Sequence, residues 1–144
     1  MKPTFRESSI QYALIWLWHW LPPILLMAAI FYLSHQPDLP RAPDPLLDVL
    51  LKKLGHATEY AVLFLLLVRA WSQSQTGDRV LDTSLLTTAA YAISDELHQA
   101  FVPGRRANWY DILIDASVAL LLWRFLRGGR LGWLFRRKDQ DLAE

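Results

Sequence analysis

The run from Ala13 to Leu33 constrains this chain most, because it contains no Asp, Glu, Lys or Arg. A helix made of about 20 such residues rises roughly 30 Å, which matches the hydrocarbon core of a bilayer. Pro22 and Pro23 should kink this helix, and neighbouring membrane helices can accommodate such a kink. A secretory signal peptide is the competing interpretation. The run is too rich in Trp for that and lacks an A-x-A cleavage site, so we expect a retained membrane anchor.

Three further apolar segments follow, and turn-forming residues separate them. The loop predicted over Ser34 to Asp48 is rich in proline, and a polar turn is predicted over Gln73 to Asp82. Pro103 and Gly104 together should end the third helix. The predicted segments are Leu51 to Trp71, Thr83 to Val102 and Trp109 to Leu126. The sequence therefore predicts an all-α protein, a bundle of four transmembrane helices.

The distribution of basic residues predicts how this bundle lies in the membrane. Most Lys and Arg fall on the side of the chain termini, so both termini are expected to be cytoplasmic. We divide the chain into a cytoplasmic N-terminus (1–12), a four-helix membrane domain (13–126) and a basic cytoplasmic tail (127–144). A net charge of +1 without a basic stripe gives no reason to expect nucleic-acid binding. The expected location is the cell (inner) membrane, with several passes; a small soluble helical bundle is the alternative.

Polar side chains repeat at helical spacing on the last three segments, at the end nearest the first loop. Helical geometry places each set on one stripe, and the helical rise places all the sets at a similar depth. The stripes and the adjoining turn contribute His56 and Tyr60, then Asp95, His98 and Gln99, then Asp111, and finally Ser34 and Gln36. We therefore expect a polar pocket that opens to one face of the membrane.

The concentration of ionisable groups in this predicted pocket suggests chemistry. Asp95, Glu96, His98 and His56 are candidates for a general acid/base site, since a desolvated carboxylate can be tuned for proton transfer. Carboxylate and imidazole groups also suit divalent cations, so a metal cofactor is possible, with Asp95, His98, His56 and Asp111 as candidate ligands. The alternative is a buried hydrogen-bond network that ties helices two, three and four together.

Other residues of the pocket are candidates for ligand binding. Arg105 follows the Pro-Gly turn, where a guanidinium could hold a phosphate or a carboxylate; the alternative is an ordinary interfacial arginine. Asp111 and Asp115 lie on one face of the last helix and could bind a metal or neutralise Arg105; the alternative for Asp111 is that it simply favours the first turn of its helix. The remaining candidate contacts are Tyr60, Gln99, Ser34 and Gln36.

Four short segments resemble the VanZ-like family, which is named for a protein linked to teicoplanin resistance. They are FYLSHQP at residues 31–37, the His and Tyr of HATEY at 56–60, SDELHQAFVPGR at 94–105, and Asp111. The third is the specific one. Family members usually carry Asn four residues after the last aspartate and Gly soon after, whereas this chain has Asp115 and Val118.

The resemblance implies a small integral membrane protein of the cell envelope. With the predicted pocket, it suggests a protein that acts on or binds an envelope lipid or a lipid-linked cell-wall precursor and affects glycopeptide (teicoplanin) susceptibility. A non-catalytic binding or shielding protein is one alternative, and a small transporter is another. No Walker loop, GxGxxG, H-E-x-x-H or GxSxG motif is present, so the sequence motifs leave open whether the chain is an enzyme.

Overall fold

Four α-helices make up the fold in the computed structural model, which describes residues 5–37, 42–105 and 109–128. The helices are α1 (Phe5–Ser34), α2 (Pro45–Trp71), α3 (Asp78–Gln99) and α4 (Trp109–Arg127). Within these ranges there is no β-strand. The predicted all-α fold with four helices is therefore confirmed.

Several helix ends differ from the predicted ones. The first loop was predicted to run to Asp48, but α2 begins at Pro45, because the Asp44 side chain accepts hydrogen bonds from the backbone N–H groups of Leu46 and Leu47 at 2.8 and 2.9 Å. Proline suits the first turn of a helix, where its missing N–H group is not needed.

The prediction for α3 was wrong at both ends. The helix already begins at Asp78, after Gly77, whose φ of 64° lies in the left-handed region that suits glycine. It ends at Gln99, and the residues up to Val102, predicted to be helical, form a turn instead.

Helix α2 lies at the centre of the bundle and packs against the other three. Two apolar clusters surround it. One joins α2, α3 and α4 through Phe64, Val68, Val80, Leu81, Ala119 and Leu126. The other joins α1, α2 and α3 through Ile30, Tyr60, Leu63, Leu67 and Ala92. The first cluster fills the space between α2 and α4. The polar residues of the predicted pocket lie beyond this cluster, at one end of the fold.

Polar contacts also tie α3 to α4 at the opposite end. The Trp123 Nε1–H group donates to Asp82 Oδ1 at 2.8 Å. The Arg127 guanidinium lies 3.2 Å from Asp82 and 3.3 Å from Asp78. The N-terminal turns of α3 and the C-terminal turns of α4 are thereby held together.

Helix α1 carries the clearest membrane signal. Among the described residues it is the one helix that is long and apolar enough to cross a membrane, over Ile10–Ser34. The four predicted segments are thus confirmed as helices. Among the described residues, length and composition support a membrane span for α1. Residues 129–144, most of the predicted basic tail, lie outside the described residues.

Candidate functional site

Asp95 lies at the centre of a buried hydrogen-bond network. Its side chain is buried on α3, and its Oδ2 atom accepts hydrogen bonds from the hydroxyl of Ser34 (3.0 Å), the amide of Gln99 (3.0 Å) and the hydroxyl of Tyr60 (3.4 Å). The Gln99 amide also donates to the Ser34 hydroxyl at 3.1 Å. This Asp95 network joins α1, α2 and α3. It resembles the buried hydrogen-bond network that the sequence left as an alternative, except that it includes α1 instead of α4.

Arg105 binds the C-terminal end of α1. Its Nε–H group donates to the backbone carbonyl of Gln36 at 2.9 Å, and its Nη2 group donates to that of Leu33 at 2.6 Å. Carbonyls in the last turn of a helix lack partners within the helix, so a guanidinium stabilises them. The Gln36 side chain donates to its own helix, at Tyr32 O. No ion pair among the described residues includes Arg105, so no carboxylate there neutralises its charge.

Two pairs of polar side chains connect α2 and α4, one helical turn apart. The outer pair is Lys53 Nζ with Asp111 Oδ1, at 2.6 Å. One turn deeper, His56 Nδ1 lies 3.7 Å from Asp115 Oδ2, slightly longer than a hydrogen bond. Spacings of three residues on α2 and four on α4 place the two pairs on facing stripes.

These residues surround two adjoining cavities. The larger has a volume of about 370 Å³ and lies mainly between α2, α4 and the turn after α3. The smaller, about 180 Å³, lies between α1 and α2. Lys52, His56 and Arg105 line both cavities. The larger one is also lined by Lys53, Gln99, Asp111 and Asp115, and the smaller one by Ser34 and Glu59.

The predicted site residues thus divide into separate groups. His56, Gln99, Arg105, Asp111 and Ser34 line one of the cavities. The candidates that do not line either cavity are Asp95, Glu96, His98, Tyr60 and Gln36. Asp95 and Tyr60 are buried in the network described above, and Glu96 is buried on α3.

His98 takes no part in the Asp95 hydrogen bonds and lines neither cavity. Its ring stacks on Phe31 with a centroid distance of 4.2 Å, and its Nε2 atom lies 3.3 Å from Nδ1 of His35, a distance that fits one shared hydrogen bond. Consecutive residues on a helix are rotated by about 100°, so Gln99 reaches Ser34 and Asp95 while His98 contacts Phe31 and His35 beside them. The predicted stripe therefore holds for Gln99 and fails for His98.

The candidate metal ligands do not assemble into a metal site. In the part of the chain that the structure describes, no three His, Asp or Glu side chains are arranged to hold a metal ion. Of the four candidates, Asp111 pairs with Lys53 and His98 contacts His35, whereas Asp95 accepts three hydrogen bonds. The proposed ligand set of Asp95, His98, His56 and Asp111 is therefore not supported.

The sequence analysis did not include Lys52 and Lys53 among the candidate site residues, yet both line the larger cavity. Asp115, which the sequence grouped with Asp111 as a possible metal ligand or partner of Arg105, is buried beside His56. A signal was available, because Lys53 lies three residues before His56 and Asp111 lies four before Asp115.

A sequence model of the VanZ/LLP1 family matches residues 4–127, which include all four helices. The chain belongs to the VanZ/LLP1 family. Proteins of the VanZ/LLP1 family are typically membrane-associated, in agreement with the apolar α1. No curated protein and no solved structure matches the chain.

Proposed function

We propose that this VanZ/LLP1 protein is a multi-pass membrane protein of the cell envelope, and that its cavity binds the anionic head group of an envelope lipid or of a lipid-linked cell-wall precursor. In the proposed orientation both termini are cytoplasmic, so the cavity opens to the outer face. With the head group bound in this cavity, the protein would act on or shield the ligand and so change glycopeptide (teicoplanin) susceptibility.

The position of Arg105 carries this proposal. Its guanidinium is fixed by two carbonyls of α1, lines both cavities and has no carboxylate partner among the described ion pairs. A positive charge held in place without a direct ion-pair partner is available to an anion, and a guanidinium matches phosphate or carboxylate oxygens. Lys52, 40 % exposed and paired with Asp48 at 2.6 Å, lines the same two cavities and adds a second, partly neutralised cation.

Exposed apolar side chains on the later helices support several membrane passes. Leu86 on α3 is 70 % exposed and Leu121 on α4 is 67 % exposed, and Leu65 on α2 is also exposed. A soluble protein rarely exposes contiguous apolar surface on this scale, whereas lipid tails cover it at no cost. An amphiphile could then keep its tails in the bilayer while its head group enters the cavity.

Binding fits the packing better than transport does. Below the cavity, the space between α2 and α4 is filled by apolar side chains such as Phe64, Val68 and Ala119, all buried. A transporter needs a polar route that can open on both sides of the membrane. The charged side chains that line the cavities lie at one end of the bundle only, so we rank transport last.

Calorimetry on the full chain in detergent tests the proposal. We expect short-chain phosphatidic acid and phosphatidylglycerol to bind, and the uncharged short-chain diacylglycerol not to bind. Lys52→Gln should weaken phosphatidic acid binding about threefold to tenfold, as expected for a partly exposed charge. Arg79→Gln, the same change of charge at an exposed position on the first turn of α3, is the matched control and should leave binding unchanged. Equal binding of charged and uncharged lipids would overturn the proposal.

Teicoplanin susceptibility tests the cellular consequence. Cells that express the wild-type chain should differ in susceptibility from cells with an empty vector, and Arg105→Gln should remove the difference. Arg79→Gln again serves as the control. The resistance assignment fails for this chain if the wild type and the empty vector give the same result.

A further inference from the structure

His56 and Asp115 form a pair that head-group binding alone does not explain. Asp115 is only 4 % exposed, and its Oδ1 atom has no hydrogen-bond partner among the described residues. His56 Nδ1 is likewise buried without a hydrogen bond, 3.7 Å from Asp115 Oδ2. A buried carboxylate is costly unless it is compensated, and a shift of less than about 1 Å would convert this contact into a hydrogen bond.

The orientation of the imidazole is the second observation. Nδ1 is buried against Asp115, yet the His56 side chain is 28 % exposed and lines both cavities. The exposed part of the ring is therefore the opposite edge, which carries Nε2. An aspartate that holds Nδ1–H leaves Nε2 as the basic nitrogen and stabilises the imidazolium that forms when Nε2 takes a proton.

The surroundings of Nε2 determine which ligand it would meet. Lys52, Lys53 and Arg105 line the same cavity as His56. The acidic groups that act on His56 are Asp115, Glu59 and Asp95, and Asp111 lines the same cavity. Asp111 pairs with Lys53, and Asp48 pairs with Lys52. The ammonium and guanidinium groups of these cations are donors that bind phosphoryl oxygens and stabilise the charge on a phosphoryl group during transfer. A base beside such donors can activate the water that hydrolyses a phosphate ester.

We propose that His56 is the proton-transfer residue of a lipid phosphatase site, and that Asp115 is its positioning residue. The inference rests on the proposed function, because the substrate is a phosphate monoester or diphosphate carried by the bound amphiphile. A water oxygen forms a bond to phosphorus while the bond from phosphorus to the leaving oxygen breaks. His56 Nε2 accepts a proton from that water, and the leaving oxygen, on the opposite side of phosphorus, takes a proton from solvent. The imidazolium then releases its proton to solvent. The products are inorganic phosphate and the dephosphorylated lipid, which is an alcohol from a monoester or a lipid phosphate from a diphosphate.

Asparagine supplies a conservative variant of Asp115. Asn has nearly the same shape as Asp and carries no charge, so Asp115→Asn should fold. The amide oxygen of Asn can still orient His56, but it cannot stabilise the imidazolium by charge. Loss of a positioning carboxylate should therefore lower kcat and leave KM nearly unchanged.

The test measures inorganic phosphate released by the purified full chain in dodecylmaltoside from phosphatidic acid and from geranylgeranyl diphosphate. We expect release by the wild type. His56→Gln should lower kcat by about 100-fold or more, as for loss of a general acid–base group. Asp115→Asn should lower it about tenfold or more, with KM within about threefold. His19→Gln, which changes a histidine bonded to the Ile15 carbonyl on α1, is the matched control and should retain full activity.

Calorimetric binding of short-chain phosphatidic acid separates the two proposals. Binding by wild type and by His56→Gln with similar affinity, together with loss of phosphate release in the variant alone, supports the catalytic role. Binding without release of phosphate from either substrate overturns the phosphatase inference and leaves the proposed function intact. Failure of the wild type to bind phosphate-bearing lipids overturns both, and phosphate release by His56→Gln at the wild-type rate removes His56 from the reaction.

Discussion

Substitution of Asp95 distinguishes a structural carboxylate from a catalytic one. Asp95→Ala removes the acceptor for Ser34, Gln99 and Tyr60, and these donors stay buried. Hydrogen bonds between membrane helices contribute about 0.6 kcal/mol on average and up to about 1.7 kcal/mol, so the two that join Asp95 to other helices amount to roughly 1–3 kcal/mol. Asp95→Asn keeps one oxygen for the three donors and replaces Oδ1, which has no partner among the described residues. Its cost should be about 1 kcal/mol, the penalty for one buried, unpaired N–H group.

The assay is reversible unfolding of the full chain in mixed micelles with increasing dodecyl sulfate. The free energy of unfolding should fall in the order wild type, Asp95→Asn, Asp95→Ala. A double-mutant cycle of Asp95→Ala with Ser34→Ala should give a coupling energy between about 0.5 and 1.7 kcal/mol. Equal destabilisation by Asn and Ala would refute the network argument. If Asp95→Asn were fully stable and bound lipid but lost phosphate release, Asp95 would be catalytic, as the sequence first suggested.

Three other substitutions test the backbone geometry and the contacts that hold the helices together. Gly104→Ala should destabilise the chain by about 1–2 kcal/mol in the same assay, because φ is 88° there; the new Cβ would lie 3.6 Å from Pro37 Cβ, an ordinary contact, so strain is the only cost. Trp123→Phe should cost about 1 kcal/mol by the same measurement, since it removes the hydrogen bond to Asp82. Arg105→Lys should lower stability by about 1–2 kcal/mol and weaken phosphatidic acid binding, because an ammonium cannot reproduce the guanidinium fork that caps α1. If any one of these variants is as stable as the wild type, the structural argument for that variant is wrong.

The helices were predictable from the sequence because their apolar runs are long and are separated by strong turn signals. Pro103 and Gly104 lie just after α3, and the proline-rich segment separates α1 from α2. The ends were harder to predict. The cap at Asp44 and the positive φ at Gly77 depend on local backbone geometry that hydropathy does not report.

The site was predictable at the level of helix faces but not of individual partners. Helical spacing correctly grouped Asp95 with Gln99, but it could not show that His98, one position earlier, turns towards α1. Lysines near a predicted span resemble interfacial anchors in sequence, so only the facing helix showed that Lys53 pairs with Asp111. Pairing across helices depends on how the bundle is assembled, which stripes on single helices do not specify.

Among the described residues, the hydrogen bonds that join α1 to the rest of the fold lie in its C-terminal half. They run from Tyr91 to the Met27 carbonyl, from Arg105 to the Leu33 carbonyl, and from Ser34 to Asp95. Every one of these partners belongs to α3 or to the turn that follows it. Helix α2 contributes apolar packing to the same half of α1. The hydrogen bonds that fix the position of α1 can therefore form only after α3 has been synthesised, although α1 and α2 can already pack together.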